Sequence, residues 1–512
     1  MISSLNKVLF WGNTFLFLNC GILAQPIQLV PQKERSAEST IPSPSQEAQG
    51  FWEGTPSSVI ETYFPNLPLR LTSPVLRSLQ LEVIKEKYTP LLKNQAYEKT
   101  LLFLLMGVGQ LEQAKEFLLE TTLPEKEKML LDLQWLDGEP KKACEKVTNL
   151  IRTSSDPDWK MQNIYCLFLN GERERGKIAT ELLKESNPDT SPLMSALFDA
   201  SSQPSFEISI GKSPFLLTIW CATGQEISEQ ALKEMAPSSL TLVAQSEKMP
   251  LKTRLLAAER ALQVGSFKKE ALLTLLKDSP SKGLLEKFSH ALKSSKIEDL
   301  ISLFEKAEHE QKVGLMVDVF KSLLTKIDPS LITLPLAPYL IRSFLEVNEK
   351  DLAQKWSSFF MRESPDEAIA VLPLLHLAFS QTKWNETQLQ AWQAYQARIH
   401  PEKAAQNSYI LRHVLEALGE NPGPAMKGEP TVPSWRQEKT LFDEKALALL
   451  DSAAESKRKG EVLLLILTMI GEVSLQDLSP DKFTRLLRVL HKAGYTAEAR
   501  ALALEFLLAK GI

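Results

Sequence analysis

Apolar residues recur along most of this chain at intervals of three and four. In the stretch 138–185, Ala143, Val147, Leu150 and Ile151 fall at i, i+4, i+7 and i+8 and trace one face of a helix. That helix must stop near Thr153. Asp156 then suits an N-cap, Pro157 the first helical position, and Asp158 the positive end of the helix dipole. The next helix, Trp159 to Leu169, is apolar on several sides, which predicts burial. Asn170-Gly171 closes it with residues that tolerate the left-handed conformation. A third amphipathic helix places Ala179, Leu182 and Leu183 on its inner face.

Similar patterns follow one another from 73–87 to 402–418, among them a single long helix over 365–380. Four more occupy 437–454, 457–472, 479–493 and 496–509, and no convincing run has the period of a strand. Ser58-Val59-Ile60-Glu61 matches a capping box, and Ser73-Pro74 opens a helix as Asp156-Pro157 does. A loose repeat underlies the series. A Gly or Asn at a helix break precedes a small residue by five: Gly109/Ala114, Gly138/Ala143, Gly171/Gly176, Asn348/Ala353 and Gly494/Ala499. The first copies are spaced 29 and 33 residues apart, close to the tetratricopeptide period of about 34. The expectation is an all-α fold, an antiparallel helix-hairpin superhelical array of tetratricopeptide-like kind.

Proline and glycine divide the chain. Residues 25–56 carry five prolines among Ser, Gln and Glu and read as a disordered tether, with Phe51 and Trp52 near its end able to dock back on the body. Residues 57–420 form the repeat array. A linker over 421–436 holds Pro422, Gly423, Pro424, Gly428, Pro430 and Pro433, and a four-helix segment fills 437–512.

The first 24 residues read as an export signal. Lys7 gives a weak positive start, Val8 to Leu18 a short apolar run, and Ala24 before Gln25 a small residue at the cleavage position. The alternative is an uncleaved inner-membrane anchor, for which the run is short and polar. The expected location is therefore periplasmic or secreted, with membrane contact only through that segment. A formal net charge of −4 supplies no global basic field, so nucleic acid is not an expected partner.

The chain resembles a family of uncharacterised, exported α-helical repeat proteins of alphaproteobacteria, some labelled antifreeze-glycopeptide-related. The resemblance is carried by CEKVTNLIRTSSDPDWKMQNIYCLFLNGERE, by APSSLTLVAQSEKMPLKTRLLAAERALQVG, and more weakly by RLLRVLHKAGYTAEARALALE. It implies no catalytic residue and no cofactor.

Candidate chemistry is thin. No phosphate-binding loop or nucleophile elbow is present. His309-Glu310 begins like a zinc-binding helix, but Val313 stands where the second His is needed. Glu363-Ser364 echoes lytic transglycosylases without the segment that should follow, and Ser364-Pro365 fits a helix cap better. No catalytic, cofactor or metal site is expected, and the chain is not expected to be an enzyme.

Cysteine placement says more. Cys144 and Cys166 lie 11 residues either side of Ser155, inside the expected turn. In an antiparallel hairpin, positions equidistant from the turn share a height. A disulfide is expected there, against the alternative of two small buried thiols, and Cys221 is left as a buried free thiol. The functional expectation is a non-enzymatic scaffold in the cell envelope that binds protein or peptide partners. The alternative is a cell-wall accessory of superhelical form that associates with peptidoglycan.

Overall fold

One local device joins helix to helix at several breaks. In the computed structural model, residues 50–92, 94–152, 157–186, 191–199, 208–277, 283–294, 296–310, 312–379, 386–422 and 444–512 are described. Gly109, Gly138, Gly171, Asn348 and Gly494 all have positive φ, between 57° and 96°. The next residue donates its N–H back five positions: Gln110 to the Leu105 carbonyl at 2.8 Å, Glu139 to Gln134 at 3.0 Å, Glu349 to Phe344 at 2.7 Å. This is the Schellman closure, which satisfies a carbonyl that the ending helix leaves open. The same residue then becomes the N-cap of the following helix. Its carbonyl accepts from the small residue four positions on, as Ala114 to Gln110 at 2.9 Å and Ala143 to Glu139 at 3.2 Å.

The spacing of five between turn and small residue thus follows from geometry. It places Ala114, Ala143, Ala353 and Ala499 one turn into the second helix, each fully buried against its neighbours. At Gly176 even a methyl is too much, because a Cβ there would collide with the Phe198 ring. Lys457 takes the same left-handed conformation at φ 56° and precedes fully buried Val462 by the same interval.

Three quarters of the described residues, 75%, are helical, and none is in a strand. Helices 95–107, 111–120, 126–136, 140–150, 157–169, 173–186 and 191–198 each pack on the next in chain order. A continuous apolar core runs through the array, from Ile60 and Leu76 to Phe506 and Ile512. Helix Pro157–Leu169 buries Trp159, Met161, Ile164, Tyr165 and Cys166, as its apolar pattern requires.

Several details differ from the sequence reading. Ser58 does not cap. Helix Ser57–Tyr63 starts one residue earlier behind Pro56 and has no side-chain cap bond, since Pro56 offers no side-chain acceptor. Ser73 does cap, accepting from Leu76 N–H at 3.1 Å. The expected long helix over 365–380 is three pieces: Pro365–Ala368, a 3-10 turn Ile369–Val371, and Leu372–Ala378. Pro373 is the cause, because it cannot donate within a helix and instead starts a new one. Leu182 faces outward and is 63% exposed, while Leu183 carries the inner contact. A short helix Ile208–Lys212 was not foreseen. The Asp156 cap, the tether up to residue 49, the linker residues 423–436 and the first residues, 437–443, of the helix expected over 437–454 lie outside the described residues.

The first and last described segments meet. Helix Pro74–Lys85 packs on helices Lys459–Ile470 and Thr496–Ala509. Trp52, 5% exposed, lies against Gly460, whose N–H donates to the Phe51 carbonyl at 3.0 Å. The Trp52 indole donates to the Glu86 carbonyl, and its ring meets Tyr88 edge to face. Phe51 and Trp52 therefore dock back on the body, as their composition suggested.

Candidate functional site

Two deeply buried carboxylates, one of them where those ends meet, each take part in starting a helix. Glu505 projects from helix Thr496–Ala509 to the start of helix Pro74–Lys85. There its carboxylate accepts from Val75 N–H at 3.1 Å and from the Ser73 hydroxyl. Ser73 in turn receives Leu76 N–H, so one distant carboxylate organises a whole helix start. Glu346 does the same elsewhere. It ends helix Ala337–Glu346 and accepts Gly314 N–H at 3.0 Å, in the first turn of helix Val313–Leu324. Both glutamates thus cap, from another part of the chain, a helix whose own N-terminus is under-satisfied.

Burial pushes the Glu505 carboxyl up to about 7, against the pull of Ser73, Val75 and Arg77. Burial likewise pushes Glu346 up to about 7 despite Gly314 and Arg342, with like charge from Glu505 and Glu308 adding to the rise. Arg342 bridges toward Glu308 at 3.5 Å and donates to the Ile512 carbonyl at 3.2 Å. Around them Glu472 accepts from Leu69 N–H at 3.2 Å and Arg70 N–H at 3.1 Å and pairs with the Arg70 guanidinium. The Tyr495 hydroxyl donates to Glu82 at 3.2 Å.

A second polar cluster ties helix Leu372–Ala378 to helix Thr496–Ala509. His376 Nε2 lies 2.5 Å from Glu420, which also pairs with Arg500, and Arg500 donates to the His376 carbonyl at 2.7 Å. Burial alone would raise the Glu420 carboxyl, but His376 and Arg500 hold it below the usual carboxylate range.

Chemically, these carboxylates are committed to protein donors. Two surface depressions lie elsewhere, one beside Ile178 and Leu182, another beside Asp451 and Arg485. Among the described residues no group of three His, Cys, Asp or Glu side chains is placed to hold a metal ion. His309 ends helix Ile297–His309, with Val313 in the next helix, so no imidazole pair forms there. Ser364 sits at the cap position before Pro365 without a side-chain cap bond.

The cysteines fall where their spacing predicts. Cys144 in helix Pro140–Leu150 and Cys166 in helix Pro157–Leu169 are at disulfide distance, with Cα atoms 5.5 Å apart. Both are buried beside a cluster in which Trp135, Tyr165 and Phe215 meet, and the Trp135 indole donates to Gln162 at 3.1 Å. Cys221 is a buried free thiol, and burial pushes it up to about 12, which leaves it unreactive. The Ala24/Gln25 boundary lies outside the described residues. No helix among the described residues is long and apolar enough to cross a membrane.

Sequence reading missed Glu346, Glu505 and the His376–Glu420–Arg500 cluster. Ser73 and Glu505 are 432 residues apart, and no local pattern announces such a partner. Compared with known proteins, the chain matches no family model, no curated protein and no solved structure.

Proposed function

We propose that the protein is a non-enzymatic, exported helical-repeat scaffold that binds a protein or peptide partner in the cell envelope. The observation that carries this reading is the chain-order stacking of helices from 95 to 198 with large apolar side chains left outside. Phe103 is 63% exposed and Leu119 60% exposed on the first hairpin of that stack. Repeat stacks of tetratricopeptide-like kind, each unit touching its neighbours, offer an extended surface of this sort. Export is supported by the Cys144–Cys166 geometry, because an oxidising compartment favours the bond.

The test immobilises the mature protein, from Gln25 onward, against envelope extract and against purified sacculi. Protein partners recovered by the native chain and lost on Phe103→Asp/Leu119→Asp support the scaffold. Retention on sacculi, indifferent to that variant, supports the cell-wall accessory instead. Absence of both rejects each reading.

A further inference from the structure

Helix Arg173–Ser186 has one face against its neighbours and one face outside. Gly176, Thr180 and Leu183 are buried. On the opposite side Arg175, Ile178, Leu182 and Glu185 are exposed, with Ile178 at 64% and Leu182 at 63%. These four are spaced three, four and three residues apart, the interval of a seam that packs against another helix. Their order is basic, apolar, apolar, acidic.

That order is self-complementary under a twofold axis through the middle of the seam. In an antiparallel pair of this helix, Ile178 of one copy meets Leu182 of the other, and Arg175 meets Glu185. A parallel pair would set Arg175 on Arg175 and Glu185 on Glu185, which repels. The flanking charges are already matched within the helix, Glu174 with Lys177 at 3.1 Å and Glu181 with Lys184 at 2.5 Å. They add no repulsion between copies. Arg175 pairs with Glu172 at the start of the helix, a surface contact it can exchange at little cost.

We propose that this face docks a second copy of the chain, the two helices running antiparallel. The docking is isologous, with each residue contacting its complement on the twofold-related copy. A three-turn seam is small beside a standard interface, so the dimer is weak and reversible.

Sedimentation velocity of the full mature chain, from micromolar to near-millimolar concentration, tests it. The native protein should shift from monomer to dimer across that range. Leu182→Asp should leave only monomer. Arg175→Glu and Glu185→Arg should each weaken the dimer, and the double variant carrying both should restore it. Circular dichroism should show all four variants folded alike, since the changed side chains are exposed. A chain that stays monomeric throughout overturns the proposal. So does a dimer unmoved by Leu182→Asp, or a charge swap that fails to rescue.

Discussion

At the residue scale, the two trans-capping glutamates set an expectation for pH. The Glu505 carboxyl sits near 7 in the folded chain and in the ordinary carboxylate range when unfolded. Its folded value is raised, so its contribution is fully present below about 4.5 and is lost as pH rises through about 7. Glu505→Gln keeps the shape and an acceptor for Val75 N–H but carries no charge. The variant should lose less stability than the native chain between pH 5 and 8, a difference on the order of 1 kcal/mol. Thermal unfolding across that window measures it, and parallel profiles for the two proteins would refute the assignment. Glycines were more legible than these acids. A left-handed closure and the small residue five later are local events, so Gly138 and Ala143 announce each other. Leu182 was misplaced because Leu182 and Leu183 sit only about 100° apart around the helix, a wedge that periodicity cannot split.

At the element scale, the hairpin 140–169 joins the Cys144–Cys166 contact to an aromatic cluster through Tyr165, which meets Trp135 and Phe215 from other helices. Its register was readable because both cysteines belong to one hairpin and are equidistant from its turn. The break in 365–380 was readable too, and the apolar run hid it: Pro373 should have been weighed above the pattern. Closing the loop between the cysteines, 22 residues apart in sequence, should stabilise by about 3 kcal/mol on the chain-entropy account. Cys144→Ser/Cys166→Ser should therefore melt earlier than the oxidised native chain. Digestion of unreduced protein should yield a Cys144–Cys166 cross-linked peptide. Full alkylation of both residues under denaturing conditions without reductant would sink the bridge, and Cys221 should label only after unfolding.

At the scale of the whole molecule, the helical class was plain in the sequence and the meeting of the ends was not. Helix content needs only periodicity, whereas the contacts of Trp52 with Gly460 and of Glu472 with Arg70 join residues some 400 positions apart. Only Phe51 and Trp52 gave a hint, as large apolar residues at the end of a polar tract. If the junction holds the two ends as one unit, loosening one side must loosen the other. Trp52→Ala removes a buried ring and should cost about 3 kcal/mol. Hydrogen exchange should then rise together in helices Pro74–Lys85 and Lys459–Ile470, with 126–169 unchanged. A rise confined to residues near 52 would show that the ends are independent.

Trans-capping by Glu505 also fixes an order in time. A ribosome makes helix Pro74–Lys85 long before it reaches Glu505. Until Glu505 arrives, helix Pro74–Lys85 lacks the acceptor for Val75 N–H and the partner that aligns Ser73. Local hairpins such as 140–169 can form as they emerge, while helix Pro74–Lys85 waits for a carboxylate 432 residues beyond Ser73. In pulse-labelled refolding, amides at the start of 74–85 should gain protection after those of 157–169. Synthesis as far as Glu505 is then what locks the start of helix Pro74–Lys85.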